Sequence, residues 1–411
     1  MKRILCAALA AACLLTGCRS VPGIVDVTAP PLPTATVLPT STPMTISATE
    51  AWDLSVYNDR ILDLASRGGQ TMVLCSPAIA ASVHSLYWAG DEPVQEELSA
   101  VLGVECSREN QCVNTDRMLS DVKSRVKDLD LWFRMHVGSG IALNESTLGI
   151  LPEYFDSQLE LADLTQESWT RDLQESMAQA TGGRLSANLD DYAAHGSRSV
   201  LLSGSAYDVR WMEQFDPDRD KVESFTAANG EKYAVNTMRS FSDHEIFRAQ
   251  AGTLAVVDVE GGLELWAILP REGDSVTQLL QTCDMQEFTR WRSLAEMSEM
   301  GVALPELDLD LTHDLTASLR EMGLLSLSDG EGFFDKVGRG FSGVDTVLTS
   351  SHLRFLHEAA PEAPVPSPTP QSQLITRPRE PDMLVFDREC LLLIVDPARQ
   401  AIVYAVALRT V

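Results

Sequence analysis

Residues 390–395 and 401–408 are two uninterrupted apolar runs joined by Asp396-Pro397-Ala398-Arg399. Runs with no polar alternation need cover on both faces, so a buried antiparallel hairpin turning at the Asp-Pro step is predicted. The stretch just before it, residues 358–383 (EAAPEAPVPSPTPQSQLITRPREPDM), is too rich in proline for a helix or an ordinary strand. Everything else from about residue 48 onward reads as one mixed α/β body. The proline-rich stretch is then a long exposed loop inserted before the last hairpin. A chain of 411 residues allows two or three domains, or one large one, and 45% apolar content supplies a core. Lys and Arg number 32 against 59 Asp and Glu, a formal net charge of −27. Nucleic acid and other polyanionic partners are not expected of such a surface.

The first 18 residues read MKRILCAALAAACLLTGC. Lys2 and Arg3 form a basic head, and the apolar run behind them is too short to span a bilayer comfortably. Leu15-Thr16-Gly17-Cys18 resembles a bacterial lipobox. This predicts a signal peptide over residues 1–17 and lipidation of Cys18. No other segment is long and apolar enough to cross a membrane. Residues 18–47, with Pro30, Pro31, Pro33, Pro39 and Pro43, read as a lipidated cysteine and an extended Pro/Thr-rich stalk. The body, residues 48–411, is thus expected to be secreted and lipid-anchored at the outer face of a bacterial membrane. Of the remaining cysteines, Cys106 and Cys112 lie close in a polar stretch and could bridge in an oxidising compartment. Cys75, Cys283 and Cys390 sit in apolar surroundings and read as inert core residues.

Ser76-Pro77 predicts a helix start, with Ser76 as cap, and Gly90 its stop. A second helix opens at Asp91-Glu92-Pro93, carries Val94, Leu98, Val101 and Leu102 at helical spacing and stops at Gly103. Residues 199–207 and 253–269 are dense in β-formers. Residues 306–311 alternate strictly, the pattern of a strand with one wet face, and a helix follows over 315–322, closed by Gly323. Motifs that carry chemistry are scarce. Gly338-Arg339-Gly340-Phe341-Ser342-Gly343 matches a dinucleotide fingerprint by letters, but no helical run follows, so it reads as a turn. No nucleophile elbow and no P-loop occur. His352, His357 and Glu358 are near one another, yet a metal site there needs further ligands that the sequence does not name. Asp308, Asp310 and Asp314 fit the solvated face of a strand better than a calcium loop. No enzyme, cofactor or metal is expected.

Taken in order, several blocks resemble the serpin family, from about residue 50 to the C-terminus. Val73-Leu74-Cys75-Ser76-Pro77-Ala78-Ile79 is similar to the strand and Ser-Pro start of the family's buried helix. Thr181-Gly182-Gly183-Arg184-Leu185 resembles its Thr-Asn-Gly-Lys-Ile turn. In residues 200–215 (VLLSGSAYDVRWMEQF), Trp211 and Phe215 fall on the last two aromatic positions of a family landmark. Phe341-Ser342-Gly343-Val344 resembles Phe-Ser-Gly-Ile, and Asp387-Arg388-Glu389-Cys390-Leu391 stands where the family reads Asp-Arg-Pro-Phe-Leu. The resemblance implies an α+β serpin fold: three β-sheets, eight or nine helices, and an exposed reactive-centre loop near the C-terminus. Departures include Ser203 for the expected Asn and Glu389-Cys390 for Pro-Phe.

The same resemblance implies a non-catalytic inhibitor, a monomer whose partner is an extracellular serine or cysteine protease. In that mechanism the loop is cut and then inserts as a new central strand, carrying the acylated protease with it. The hinge position is occupied by Glu358, Ala359, Ala360, Pro361 and Glu362, without the family's Gly-Thr. Counting in family spacing from either end brings the scissile bond to Leu374-Ile375 or to Arg377–Arg379. Arg377 precedes Pro378, whereas Arg379-Glu380 is open to a trypsin-like enzyme. Pro364, Pro366, Pro368 and Pro370 are spaced by two, so in a strand their missing donors fall on one side. This opposes full insertion and keeps a second expectation open: a non-inhibitory serpin-fold binding, scaffold or protease-sensitive surface module.

Overall fold

A computed structural model describes residues 54–102, 107–164, 166–186, 189, 199–213, 215–327, 334–359 and 382–411. Among them, nine α-helices surround three sheets and a short ribbon. The helices are α1 (Asn58–Ser66), α2 (Ser76–Ala89), α3 (Glu92–Leu102), α4 (Arg108–Arg125), α5 (Glu145–Phe155), α6 (Glu167–Ala180), α7 (Val276–Thr282), α8 (Met285–Leu294) and α9 (Thr316–Glu321). Every residue of α2 is buried, so this helix runs through the centre of the body. It starts one residue earlier than expected: Cys75 is the cap, with extended φ/ψ, and Ser76 is already helical. Pro77 still occupies the first turn, where its absent N–H costs nothing. Among the described residues no helix is long and apolar enough to cross a membrane.

The first sheet has the order β4 (Ser157–Ala162), β2 (Leu129–Gly138), β5 (Ser199–Trp211), β15 (Thr346–Ala359), β13 (Asp308–Asp314). The second runs β11 (Glu296–Ser298), β8 (His244–Arg248), β9 (Gly252–Val259), β10 (Leu263–Pro270), β17 (Cys390–Asp396), β18 (Ala401–Leu408), β1 (Met72–Cys75), antiparallel throughout. A single residue pair, Trp211 with Val259, links the two sheets. The third sheet is β16 (Met383–Val385), β12 (Gly301–Pro305), β7 (Lys232–Ser240), β6 (Lys221–Thr226), and β3 (Ala142–Leu143) pairs with β14 (Gly338–Arg339) as the ribbon.

The terminal hairpin forms as its composition demands: every residue of β17 and β18 is buried. Asp396 Oδ1 accepts from the backbone N–H groups of Ala398 and Arg399, which fixes the turn. Cys75, Cys283 and Cys390 are buried. Burial pushes the Cys75 thiol up to about 11 and that of Cys390 higher still, so neither offers a thiolate at neutral pH. Cys112 is buried on α4, and Cys106 lies outside the described residues, as does Cys18. Gly338 and its neighbours enter a strand, not a helix, and Asp308, Asp310 and Asp314 lie on the edge strand β13.

Candidate functional site: the seam between β5 and β15 and the loop it feeds

β5 and β15 lie side by side in parallel, in unbroken register from Thr346 opposite Val200 to Phe355 opposite Val209. β5 is a central strand, buried along nearly its whole length, because α6 covers one of its faces and the main core the other. On the α6 side Val200, Leu202 and Leu348 pack with Trp132, Leu173, Met177 and Leu185. Gly204 sits there because a Cβ would come within 3.1 Å of Leu185 and 3.2 Å of Met177.

In the middle of the seam the paired side chains are small and polar where a buried sheet would ordinarily be aliphatic. Ser203 donates to Thr349 at 3.0 Å, and Ser205 donates to Ser351 at 3.0 Å. On the opposite face Arg354 makes two bonds of 3.1 Å to Asp208, a fork-to-carboxylate pairing. His352 lies 3.7 Å from Asp208 and 3.9 Å from Asp308. At the end of the seam the Trp211 indole N–H donates to the Leu356 carbonyl at 2.6 Å. The same ring meets Phe355 edge-on with centroids 5.0 Å apart and leans on Phe215 at 5.1 Å. These contacts close the seam from one end to the other. They add to the backbone ladder that runs in unbroken register along the two strands.

β15 continues through Glu358 and Ala359, where Ala359 pairs with Trp211 after a register shift. The expected loop is thus shorter at both ends than its composition suggests. No proline occurs before Pro361 to remove a donor, so the ladder runs on, and Met383 already pairs with Gly301 in β16. Glu358 and Ala359 therefore stand at the strand end. Ala360, Pro361 and Glu362, and the candidate scissile residues Leu374, Ile375, Arg377, Arg379 and Glu380, lie outside the described residues.

Geometry limits what can happen at this place. A segment returning from the end of β15 runs antiparallel to β15. Because β5 is parallel to β15, that segment is antiparallel to β5 as well. Seated between them, it would exchange one parallel interface for two antiparallel ones, which are slightly more stable per residue.

Sequence reasoning located Trp211 and Phe215 but missed their partner Leu356, and it missed Asp208, Arg354 and the hydroxyl pairs altogether. Each contact joins residues about 146 positions apart, and no local pattern encodes them.

A family model described as serpin (serine protease inhibitor) matches residues 61–407. An uncharacterized serpin-like protein of Methanosarcina acetivorans is 20% identical over 321 residues, covering 75% of this chain and 74% of that protein. Iripin-8 of Ixodes ricinus is 22% identical over 298 residues, 68% of this chain and 73% of its own. The crystal structure of mouse protein-Z dependent protease inhibitor superposes with a TM-score of 0.74 at 13% identity, covering 86% of this chain and 96% of that one.

Proposed function

The chain belongs to the serpin family, and from that premise we propose that it is an inhibitor of extracytoplasmic serine proteases that presents residues 360–382 as bait. One observation carries the reading: the segment issues from the end of a strand whose parallel neighbour, β5, it can join without reversing any other strand. The inhibitor does no chemistry of its own; the protease supplies the nucleophile, and the bait supplies the peptide bond. Leu374-Ile375 suits an elastase- or subtilisin-like enzyme and Arg379-Glu380 a trypsin-like one. The lipobox at Leu15–Cys18 and the Pro/Thr-rich stalk to residue 47 support a body tethered outside a bacterial membrane, within reach of such enzymes.

The test is incubation with trypsin-, elastase- and subtilisin-like proteases, followed by boiling in detergent. A covalent protease–inhibitor band supports the proposal. Cleaved chain beside fully active protease replaces it with the second reading, a non-inhibitory serpin-fold surface module. The alternate prolines 364, 366, 368 and 370 favour that second reading, because an inserted strand would offer one neighbour a ladder without donors.

A further inference from the structure

Three side chains from distant stretches converge where β15 ends. His357 comes from β15 itself, Asp220 follows the 3-10 turn Pro217–Arg219, and Glu306 occupies the bend between β12 and β13. One ligating atom of each lies within 4.8 Å of the other two. His357 Nε2 stands 2.7 Å from Asp220 Oδ2. The Asn236 amide donates to Asp220 Oδ2 at 3.2 Å and to Glu306 Oε2 at 2.6 Å, drawing the two carboxylates together. The other Asp220 oxygen, Oδ1, is buried and has no hydrogen-bond partner among the described residues. An unsatisfied carboxylate oxygen beside a second carboxylate is costly unless positive charge reaches it. The neighbouring guanidinium groups are engaged elsewhere: Arg354 on Asp208, Arg210 with Asp128 at 3.3 Å, and Arg219 with Asp216 at 3.5 Å.

The geometry points to a divalent-cation site of the Zn²⁺ class formed by Asp220, Glu306 and His357, with Asn236 orienting both carboxylates. An imidazole among the donors selects Zn²⁺ over Ca²⁺ or Mg²⁺, which prefer oxygen alone. Tetrahedral Zn²⁺ with bonds of about 2.0–2.2 Å needs donors roughly 3.5 Å apart, so the 2.7 Å contact between His357 and Asp220 has to open while Glu306 closes in. Glu306 is exposed and can turn to supply that movement. Glu306 and His357 also line a cleft of about 490 Å³, together with Arg210, Leu307, Arg354 and Phe355, among others. Asp220 lies in the stretch that follows β5 and Glu306 in the stretch that precedes β13. A bound ion thus ties the end of β15 to both flanks and holds the seam shut where the bait segment leaves it. Ion binding stands whether or not the chain inhibits a protease; only this consequence for the seam rests on the proposed function.

The experiment titrates the full chain, stripped with EDTA, with ZnCl₂ by calorimetry, and with CaCl₂ in parallel. One Zn²⁺ per chain is expected at micromolar concentration, with no Ca²⁺ bound. Glu306→Gln and His357→Gln should each weaken Zn²⁺ by about tenfold or more, given that even outer partners of a site cost 10–100-fold. Zn²⁺ should raise the melting temperature of the parent chain, and at equal concentration raise that of either variant by clearly less. No binding below millimolar Zn²⁺ overturns the proposal. So does undiminished binding in both variants, provided their melting temperatures in EDTA match the parent's.

Discussion

Replacing Trp211 by Phe tests whether the indole bond to Leu356 holds the end of the seam. The side chain is fully buried and its N–H is satisfied by the Leu356 carbonyl at 2.6 Å. Phe keeps an aromatic ring against Phe355 and Phe215 but leaves that carbonyl unpaired, a loss of about 1–3 kcal/mol beyond the missing ring volume. Trp132 is the internal control. It is buried too, but its indole N–H has no hydrogen-bond partner among the described residues, so Trp132→Phe removes an unsatisfied donor. Against this, Trp132→Phe weakens the stacking of Arg134 over the ring, worth about 0.5–1 kcal/mol. The Trp211 variant should therefore be about 1–2 kcal/mol less stable than the Trp132 variant, a gap of roughly 1–3 °C in melting temperature for a chain this long. Amide hydrogen exchange gives the local readout: peptides covering 353–359 should exchange faster in Trp211→Phe and not in Trp132→Phe. Equal melting temperatures together with equal exchange would refute the argument.

Acid should weaken the fold through two buried histidines, His84 and His136, and the half-buried His313. Burial lowers His84 to about 3, and His136 and His313 to about 4, from 6.5. The unfolded chain then takes up protons first, so the stability held above about pH 6.5 is lost as pH falls towards 4. At pH 5 that is about 2 kcal/mol for each, about 6 kcal/mol in all, and a melting temperature unchanged between pH 7.5 and pH 5 would contradict it. Cys18→Ser should release the chain from the membrane fraction, since acyl burial supplies most of the attachment at about 0.8 kcal/mol per CH₂; a variant that stays fully bound rules out the lipobox. Cleavage within residues 374–380 separates the two readings: the inhibitor reading expects a rise of tens of degrees in melting temperature as the segment inserts, and the surface-module reading expects almost none, because four prolines would leave buried acceptors unpaired at roughly 1–3 kcal/mol each. A rise of tens of degrees on cleavage would mean that the segment inserts in spite of them.

What the sequence made legible was local. Ser76-Pro77 and Gly90 bracket α2 to within one residue, the apolar runs at 390–408 form the expected hairpin, and the alternation at 306–311 leads into an edge strand that starts two residues later than expected, at Asp308. The order of weak landmarks led to the family. Contacts between distant strands were not legible. Nothing in residues 199–211 says that residues 346–359 lie beside them, or in which direction. Parallel pairing leaves no turn to read, and the small hydroxyls that meet there look like ordinary surface residues until the register is known. His357 was noticed next to His352, but its neighbours turned out to be Asp220 and Glu306, brought in by the turns that precede β6 and β13. The extent of β15 was misjudged because proline density marks where a strand cannot be, not where it stops.

The central claim is that residues 360–382 are where a protease engages this body, and mapping the first cut tests it most directly. The native chain is treated briefly with trypsin-, elastase- and subtilisin-like enzymes, and the earliest new termini are identified by mass spectrometry. The bait reading predicts that the first bond broken in the body lies between residues 365 and 382 with each enzyme, trapped or released. First cuts within residues 76–103 or 390–408, while the loop stays whole, would contradict it.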